Sequence, residues 1–142
     1  MTRLTEHFTL EELVKSDTAA RLGIDNTPTP EACANLQRLA IEVLEPLRLL
    51  LGVPVIVSSG YRCAALNKAV GGMRTSQHQK GQAADLVCTR YEDKRRAFEL
   101  LKGFDVDQLL WERNQKGTTW IHVSYVSPEK NRNDKRDNYE AK

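Results

Sequence analysis

Apolar side chains in the first third of the chain recur at steps of three and four residues, the period of an amphipathic helix. We predict that this helix begins at Pro30, because Thr29 is a good N-cap and proline suits the first helical position. Its apolar stripe consists of Ala32, Leu36, Leu39, Ala40, Val43, Leu47 and Leu50. Pro46 removes a backbone donor within the segment, so we expect a kink or a short break near Glu45.

Shorter helices are predicted on either side of this long one. Thr9 and Glu12 have the spacing of a capping box, which places a helix over about residues 10–15. The glycine, asparagine and prolines of residues 21–30 indicate a loop before the long helix. Two later segments are predicted as helices that end near glycines, YRCAALNKAVGG and YEDKRRAFELL.

Strands are predicted mainly in the second half of the chain. The β-branched or alternating segments are PVIVSSG, residues 84–89, VDQLLWE and TTWIHVSYV. The last two are joined by a polar loop that is too short for a crossover helix, so they are expected to run antiparallel. We therefore predict an α+β fold, a single domain in which a small, largely antiparallel sheet packs against helices.

Composition and charge narrow the class of protein without identifying it. The 142 residues suit one domain, which we place over residues 1–126, followed by a polar, frayed tail over residues 127–142. The net charge of +2 is too small for a nucleic-acid footprint, and no apolar run is long enough to cross a membrane. Three widely spaced cysteines indicate neither a disulfide framework nor a zinc ribbon.

Two of the strands place polar side chains on a common face. A period of two sets His122 opposite an apolar row that consists of Ile121, Val123 and Tyr125. The same period sets Asp85 opposite Ala84, Leu86 and Cys88. With His78 from a loop held by Gly81, these residues make two imidazoles and one carboxylate, a usual ligand set for catalytic zinc. The alternative is that the histidines are unrelated residues of loops and sheet surface.

Three ordered segments carry a resemblance to a known family. They are SSGYRCAALNKAVGG, SQHQKGQAADL and WIHVS, and an S-x-H-x-x-G-x-A-x-D pattern falls on Ser76, His78, Gly81, Ala83 and Asp85. These motifs resemble those of the zinc D-Ala-D-Ala peptidases, in particular the short, single-domain branch found in bacterial cell-wall enzymes and phage endolysins. The resemblance covers roughly residues 5–125 and implies the zinc DD-peptidase or Hedgehog-like fold.

The resemblance also implies roles for the residues in these motifs. His78, Asp85 and His122 are expected to bind one Zn²⁺ per chain, an ion that acidifies water and polarises a carbonyl group. Arg62, in the S-G-Y-R segment, is expected to bind a peptide carboxylate or the oxyanion that develops during hydrolysis. Considered alone, Arg62 fits a surface ion pair at a helix start better, and the shared motif reverses this preference.

The general base is the point at which this sequence departs from the better-known members. Many of them carry an acidic residue three positions before the last histidine, where this chain has Thr119, and a threonine cannot act as a base near neutral pH. Members of the short branch resemble this chain in a D-Q-L-x-x-E motif, so Glu112 is the predicted base. The alternative is a solvent-exposed carboxylate at a strand end. Ser76, Trp120 and Tyr61 are predicted to orient the site or to contact the substrate.

These residues together predict a zinc-dependent peptidase that hydrolyses an amide bond in peptidoglycan stem peptides. It is expected to act as a D-Ala-D-Ala carboxypeptidase or endopeptidase in cell-wall lysis or remodelling. One alternative is a zinc-bearing, non-catalytic module that binds cell-wall peptide, which the missing acid at Thr119 supports. The other is a phage or prophage structural protein that kept the fold after losing its activity.

The predicted partner is a peptidoglycan peptide, bound by a monomer without nucleic acid and without membrane insertion. No apolar export signal is recognisable near the start of the chain. We therefore expect synthesis in the cytoplasm and action on the cell wall, as for a phage- or prophage-encoded protein.

Overall fold

The computed structural model describes residues 2–140, in which most helices precede most of the strands. The α-helices are α1 (Leu10–Val14), α2 (Asp17–Leu22), α3 (Pro30–Leu39), α4 (Glu45–Leu51), α5 (Ala64–Ala69) and α6 (Tyr91–Leu101). The capping box of Thr9 and Glu12 at α1 is present, and Thr29 caps α3 by accepting a hydrogen bond from the Ala32 N–H. The sequence did not predict α2, a short helix that Ser16 caps at its N-terminus.

The long helical run changes its hydrogen-bonding pattern just ahead of Pro46. After α3 the chain continues as a π-helix, Ala40–Leu44, which leads directly into α4. The Glu45 N–H donates to the carbonyl of Ala40, five residues earlier, which is the π-helical spacing. The interruption that the sequence predicts near Glu45 is therefore a π-helical segment.

The strands of the described residues form one sheet with the order β1-β2-β4-β3-β5. They are β1 (Ile56–Ser59), β2 (Ala83–Val87), β3 (Gln108–Arg113), β4 (Thr119–Ser124) and β5 (Asp134–Glu140). The first four strands pair antiparallel, and β5 pairs with β3 in parallel. The predicted α+β fold with a small, largely antiparallel sheet is confirmed.

The end of the chain differs from the prediction. We expected a frayed tail over residues 127–142, but residues 134–140 form β5 on the open edge of β3. The polar sequence does not prevent this pairing, because backbone groups make the ladder of an edge strand. Lys135 anchors the strand by donating to the carbonyls of Lys102 and Phe104, at 2.6 and 2.8 Å. The final two residues lie outside the described part of the chain.

The two faces of the sheet have different surroundings. On β4, Ile121 and Val123 are buried in a hydrophobic cluster that also contains Leu36 of α3 and Phe98 of α6. His122, between them, is only partly buried. The predicted alternation along β4 is therefore confirmed, and the face away from the helices is free to carry polar side chains.

The described residues bear on the expectations for the cysteines and for membrane-spanning segments. Cys33, Cys63 and Cys88 are free and partly buried. None of the helices within residues 2–140 combines the length and the apolar character that crossing a membrane requires.

Gly81 joins the loop of His78 to the helical layer, and we expect its replacement to destabilise the fold. Its φ is +74°, and a Cβ atom there would lie 2.5 Å from the carbonyl oxygen of Ala32 in α3. Gly81→Ala should lower the free energy of unfolding by about 2–4 kcal/mol, through left-handed strain and a clash with backbone. Urea unfolding in the presence of a chelator measures this loss without a contribution from metal binding.

Gly117 offers a matched control for this substitution. Its φ is +83°, yet a Cβ atom there would meet nothing within 4 Å. Gly117→Ala should therefore cost only the backbone strain, about 1–2 kcal/mol. Equal losses for the two variants would show that the contact with Ala32 is unimportant.

Candidate metal centre

Three potential metal ligands converge on the face of the sheet opposite the hydrophobic cluster of α3 and α6. His78 lies in a 3₁₀ helix, Gln77–Lys80, while Asp85 on β2 and His122 on β4 are direct cross-strand partners. The Oδ1 atom of Asp85 is 3.4 Å from Nε2 of His78 and 3.1 Å from Nδ1 of His122. One ligand atom from each residue lies within 4.8 Å of the other two. The structure thus brings together the three residues that the sequence assigned to the metal.

The donor set and its spacing fit a zinc ion. Two ligand atoms bound to a tetrahedral zinc at 2.0–2.2 Å are about 3.3–3.6 Å apart, close to the separations observed around Asp85 Oδ1. His78 and Asp85 are only 3% and 8% exposed, so these two potential ligands are largely shielded from water. Two imidazoles and one carboxylate leave a fourth position for water or substrate, as catalytic zinc sites do.

The ring of His78 is held in one orientation by the backbone. Its Nδ1 atom is 2.7 Å from the carbonyl oxygen of Gly60, and because a carbonyl only accepts, Nδ1 carries the proton. The unprotonated Nε2 then faces Asp85. Ser76 caps the 3₁₀ helix by accepting a hydrogen bond from the His78 N–H. Ser76 thus contacts the backbone of the loop that carries a potential ligand, and its role in the site stays a prediction.

The charges around Asp85 favour its ionised form. Burial raises the pKa of Asp85, but the imidazoles of His78 and His122 outweigh it and hold the pKa well below its usual range. Burial by itself would lower the pKa of His122. The hydrogen bond to Asp85 and the negative charge of that residue have the larger combined effect, so the pKa of His122 is raised. The carboxylate is thus preorganised as an anionic ligand at neutral pH.

Arg62 is fixed beside the three ligands by several contacts. Its Nη2 atom lies 3.4 Å from Oδ2 of Asp85, its Nε donates to Oγ of Ser59, and its Nη1 donates to Oδ1 of Asn67. Asn67 is 3% exposed and donates in turn to the Met73 carbonyl at 2.9 Å. Sequence analysis assigned no role to Ser59, Gly60 or Asn67, although they lie in the first of the three motifs, because their contacts depend on tertiary packing.

Glu112 lies beside His122 at the end of the β3–β4 hairpin. Its Oε1 atom is 3.7 Å from Nδ1 of His122 and accepts a hydrogen bond of 3.2 Å from the Trp120 indole N–H. Burial raises the pKa of Glu112, and the negative charge of Asp85 acts in the same direction against the effects of His122 and Trp120. Thr119 instead accepts a hydrogen bond from Lys94 of α6.

These side chains line one cavity of about 690 Å³. Its lining includes the three potential ligands together with Arg62, Ser76, Glu112 and Trp120. Tyr61 lies elsewhere: its side chain is buried in the hydrophobic core and borders a second cavity of about 520 Å³. The two cavities share Arg62 and Val70 as a common wall.

Glu6, His7 and Glu45 form a second group of potential ligands in the described residues, but this group is much more exposed. The Nδ1 atom of His7 is already paired with Oε2 of Glu45 at 2.6 Å. Exposed groups of this kind are common without a metal.

Two comparisons with known proteins gave different results. No curated protein matches the chain, but a family model does, and it agrees with this geometry. A sequence model of the family described as Peptidase M15 matches residues 6–124, a span that contains the three potential ligands, Arg62 and Glu112. The chain therefore belongs to the M15 peptidases, the zinc D-Ala-D-Ala carboxypeptidase-like family.

Proposed function

We propose that this domain hydrolyses an amide bond adjacent to a D-amino acid in peptidoglycan stem peptides. Membership of the M15 family makes the protein a zinc peptidase of the kind that acts on peptidoglycan. The observation that carries the finer proposal is the convergence of His78, Asp85, His122 and Glu112 in one open cavity. The two adjoining cavities provide room for a peptide on both sides of Arg62, as an extended substrate requires.

His78, Asp85 and His122 are the residues that would hold zinc in this enzyme. When bound, zinc supplies Lewis acidity, which acidifies water and polarises the scissile carbonyl group. The chain contributes fixed ligand orientations, because the Gly60 carbonyl holds one imidazole and strand pairing sets the other beside Asp85.

Glu112 acts as the general base and then as the general acid. Its carboxylate accepts a proton from the attacking water as the new carbon–oxygen bond forms at the scissile carbonyl. It returns this proton to the nitrogen as the amide carbon–nitrogen bond breaks, which releases the amine. The Trp120 indole N–H holds the carboxylate, and burial raises the pKa of Glu112 towards the range in which one group both accepts and donates a proton.

Arg62 stabilises negative charge on the substrate. Its guanidinium is held by Ser59, Asn67 and Asp85 at the wall between the two cavities. A prepositioned cation there can bind the oxyanion that develops on the carbonyl or a carboxylate of the peptide.

A non-catalytic module that binds cell-wall peptide is the second candidate, and the absence of an acid at Thr119 is the observation that favours it. Purified peptidoglycan and synthetic D-Ala-terminated stem peptides distinguish the two functions. The peptidase should release amine in the presence of zinc and lose this activity with a chelator. Zinc bound at one equivalent without release of amine from either substrate would establish the binding module instead.

A further inference from the structure

Two arginines that follow the family match line the cavity of the potential zinc ligands. The match ends at residue 124, whereas Arg132 and Arg136 belong to the segment that forms and precedes β5. Both side chains are more than half exposed, and both border the same cavity as His122 and Glu112. The part of the chain predicted to fray therefore contributes two cations to the cleft.

The register of the sheet places Arg136 in line with the metal ligands. Asp85 of β2 pairs with His122 of β4, His122 pairs with Leu110 of β3, and Leu110 pairs with Arg136 of β5. Residues paired in this way project to the same face of a sheet. At about 4.8 Å per strand, the backbone of Arg136 is about 10 Å from that of His122.

Acidic neighbours hold both guanidinium groups in place and leave donors available. Arg132 donates from Nε and Nη2 to the buried carboxylate of Asp107, at 3.0 and 2.7 Å. Arg136 donates from Nε to Oδ1 of Asp134 at 3.0 Å, and Oδ2 of Asp134 accepts from Gln108. A guanidinium has five N–H donors, so these contacts leave several on each arginine for a further anion.

We infer that Arg132 and Arg136 form a carboxylate-binding subsite, and that the substrate is a peptide with a free carboxylate about three residues from the scissile bond. The backbone separation of about 10 Å between Arg136 and His122 corresponds to three residues of extended peptide. Carboxylate is the group that a prepositioned guanidinium fork binds best in a peptide, and amidation of that group removes the charge. This inference rests on the proposed function, because it takes the scissile bond to lie at the three ligands.

Two peptides that differ in one group test the subsite. One is a stem peptide with a free carboxylate on its glutamyl residue, and the other carries the amide at that position. The parent protein should hydrolyse the acid with a kcat/KM about 5- to 10-fold higher than the amide, mainly through KM, as expected for one exposed charged contact. Arg136→Gln should reduce this preference to about 1- to 2-fold without changing kcat/KM for the amide, and Arg136→Lys should retain part of it.

Arg90 provides the matched control, since it is an exposed arginine that pairs with Glu92 and does not line the cavity. Arg90→Gln should keep the full preference for the acid. The inference is overturned if the parent shows no preference for the acid peptide or if Arg136→Gln keeps this preference. It is also overturned if Arg136→Gln lowers kcat/KM equally for both peptides. Arg136 is the tested residue because removing Arg132 would leave the buried Asp107 without its partner.

Binding of the same two peptides, measured by calorimetry, separates this inference from the proposed function. If the zinc-loaded parent hydrolyses neither peptide, the proposed hydrolysis fails. The carboxylate subsite then stands if the parent binds the acid more tightly than the amide and Arg136→Gln abolishes the difference. Equal binding of the two peptides by the parent overturns it.

Discussion

Glu112→Gln is expected to lower kcat by about 10²- to 10⁴-fold while leaving the zinc content unchanged. The amide keeps the size of the side chain but cannot accept the proton of the attacking water. Zinc is retained because Glu112 is not one of the three converging residues. Rates of amine release and metal analysis on the same preparation measure both quantities.

Glu92 supplies the control for this substitution. Its side chain is 71% exposed and paired with Arg90 outside the cavity, so Glu92→Gln should have parental activity. Full hydrolytic activity of Glu112→Gln, with zinc bound, would show that another group is the base. A simultaneous loss of zinc would instead make Glu112 a ligand.

His78→Ala is expected to reduce zinc affinity by more than about 100-fold and to abolish hydrolysis. Loss of a residue that hydrogen-bonds to a zinc ligand already lowers metal affinity by about 10- to 100-fold, and this substitution removes a proposed ligand itself. Metal analysis after dialysis, beside competition with a chromophoric chelator, measures the affinity. Zinc should also raise the unfolding midpoint of the parent and not that of the variant, because an ion that binds only the folded state stabilises it.

His7 is the matched control among the three histidines of the chain. It lies in the exposed group with Glu6 and Glu45, away from the cavity. His7→Ala should bind zinc as the parent does. Parental zinc affinity in His78→Ala, or loss of zinc in His7→Ala alone, would place the metal elsewhere.

The alternation along the strands made part of the site predictable. A strand has only two faces, so burying Ile121 and Val123 leaves His122 on the other side. The same argument applies to Asp85 on β2. Periodicity alone gave no reason to bring the loop of His78 to that face, and this expectation depended on the chemistry of the donor set and on the resemblance of its motif.

Features set by long-range contacts were not predictable in the same way. β5 has the sequence DKRDNYE, without an apolar alternation, and it pairs through its backbone groups with the open edge of β3. Asn67 and the Gly60 carbonyl contact the site only because α5 and the end of β1 pack beside it. Tyr61, adjacent to Arg62 in sequence, faces the core instead.

The three ligands come from two different layers of the molecule. Asp85 and His122 are brought together by β2 and β4, but His78 reaches them only when its loop rests on α3 through Gly81. A partly folded chain with the sheet alone offers two of the three ligands. Tight metal binding by these three residues therefore requires the helical layer to be docked onto the sheet, so zinc affinity should fall when this docking is weakened.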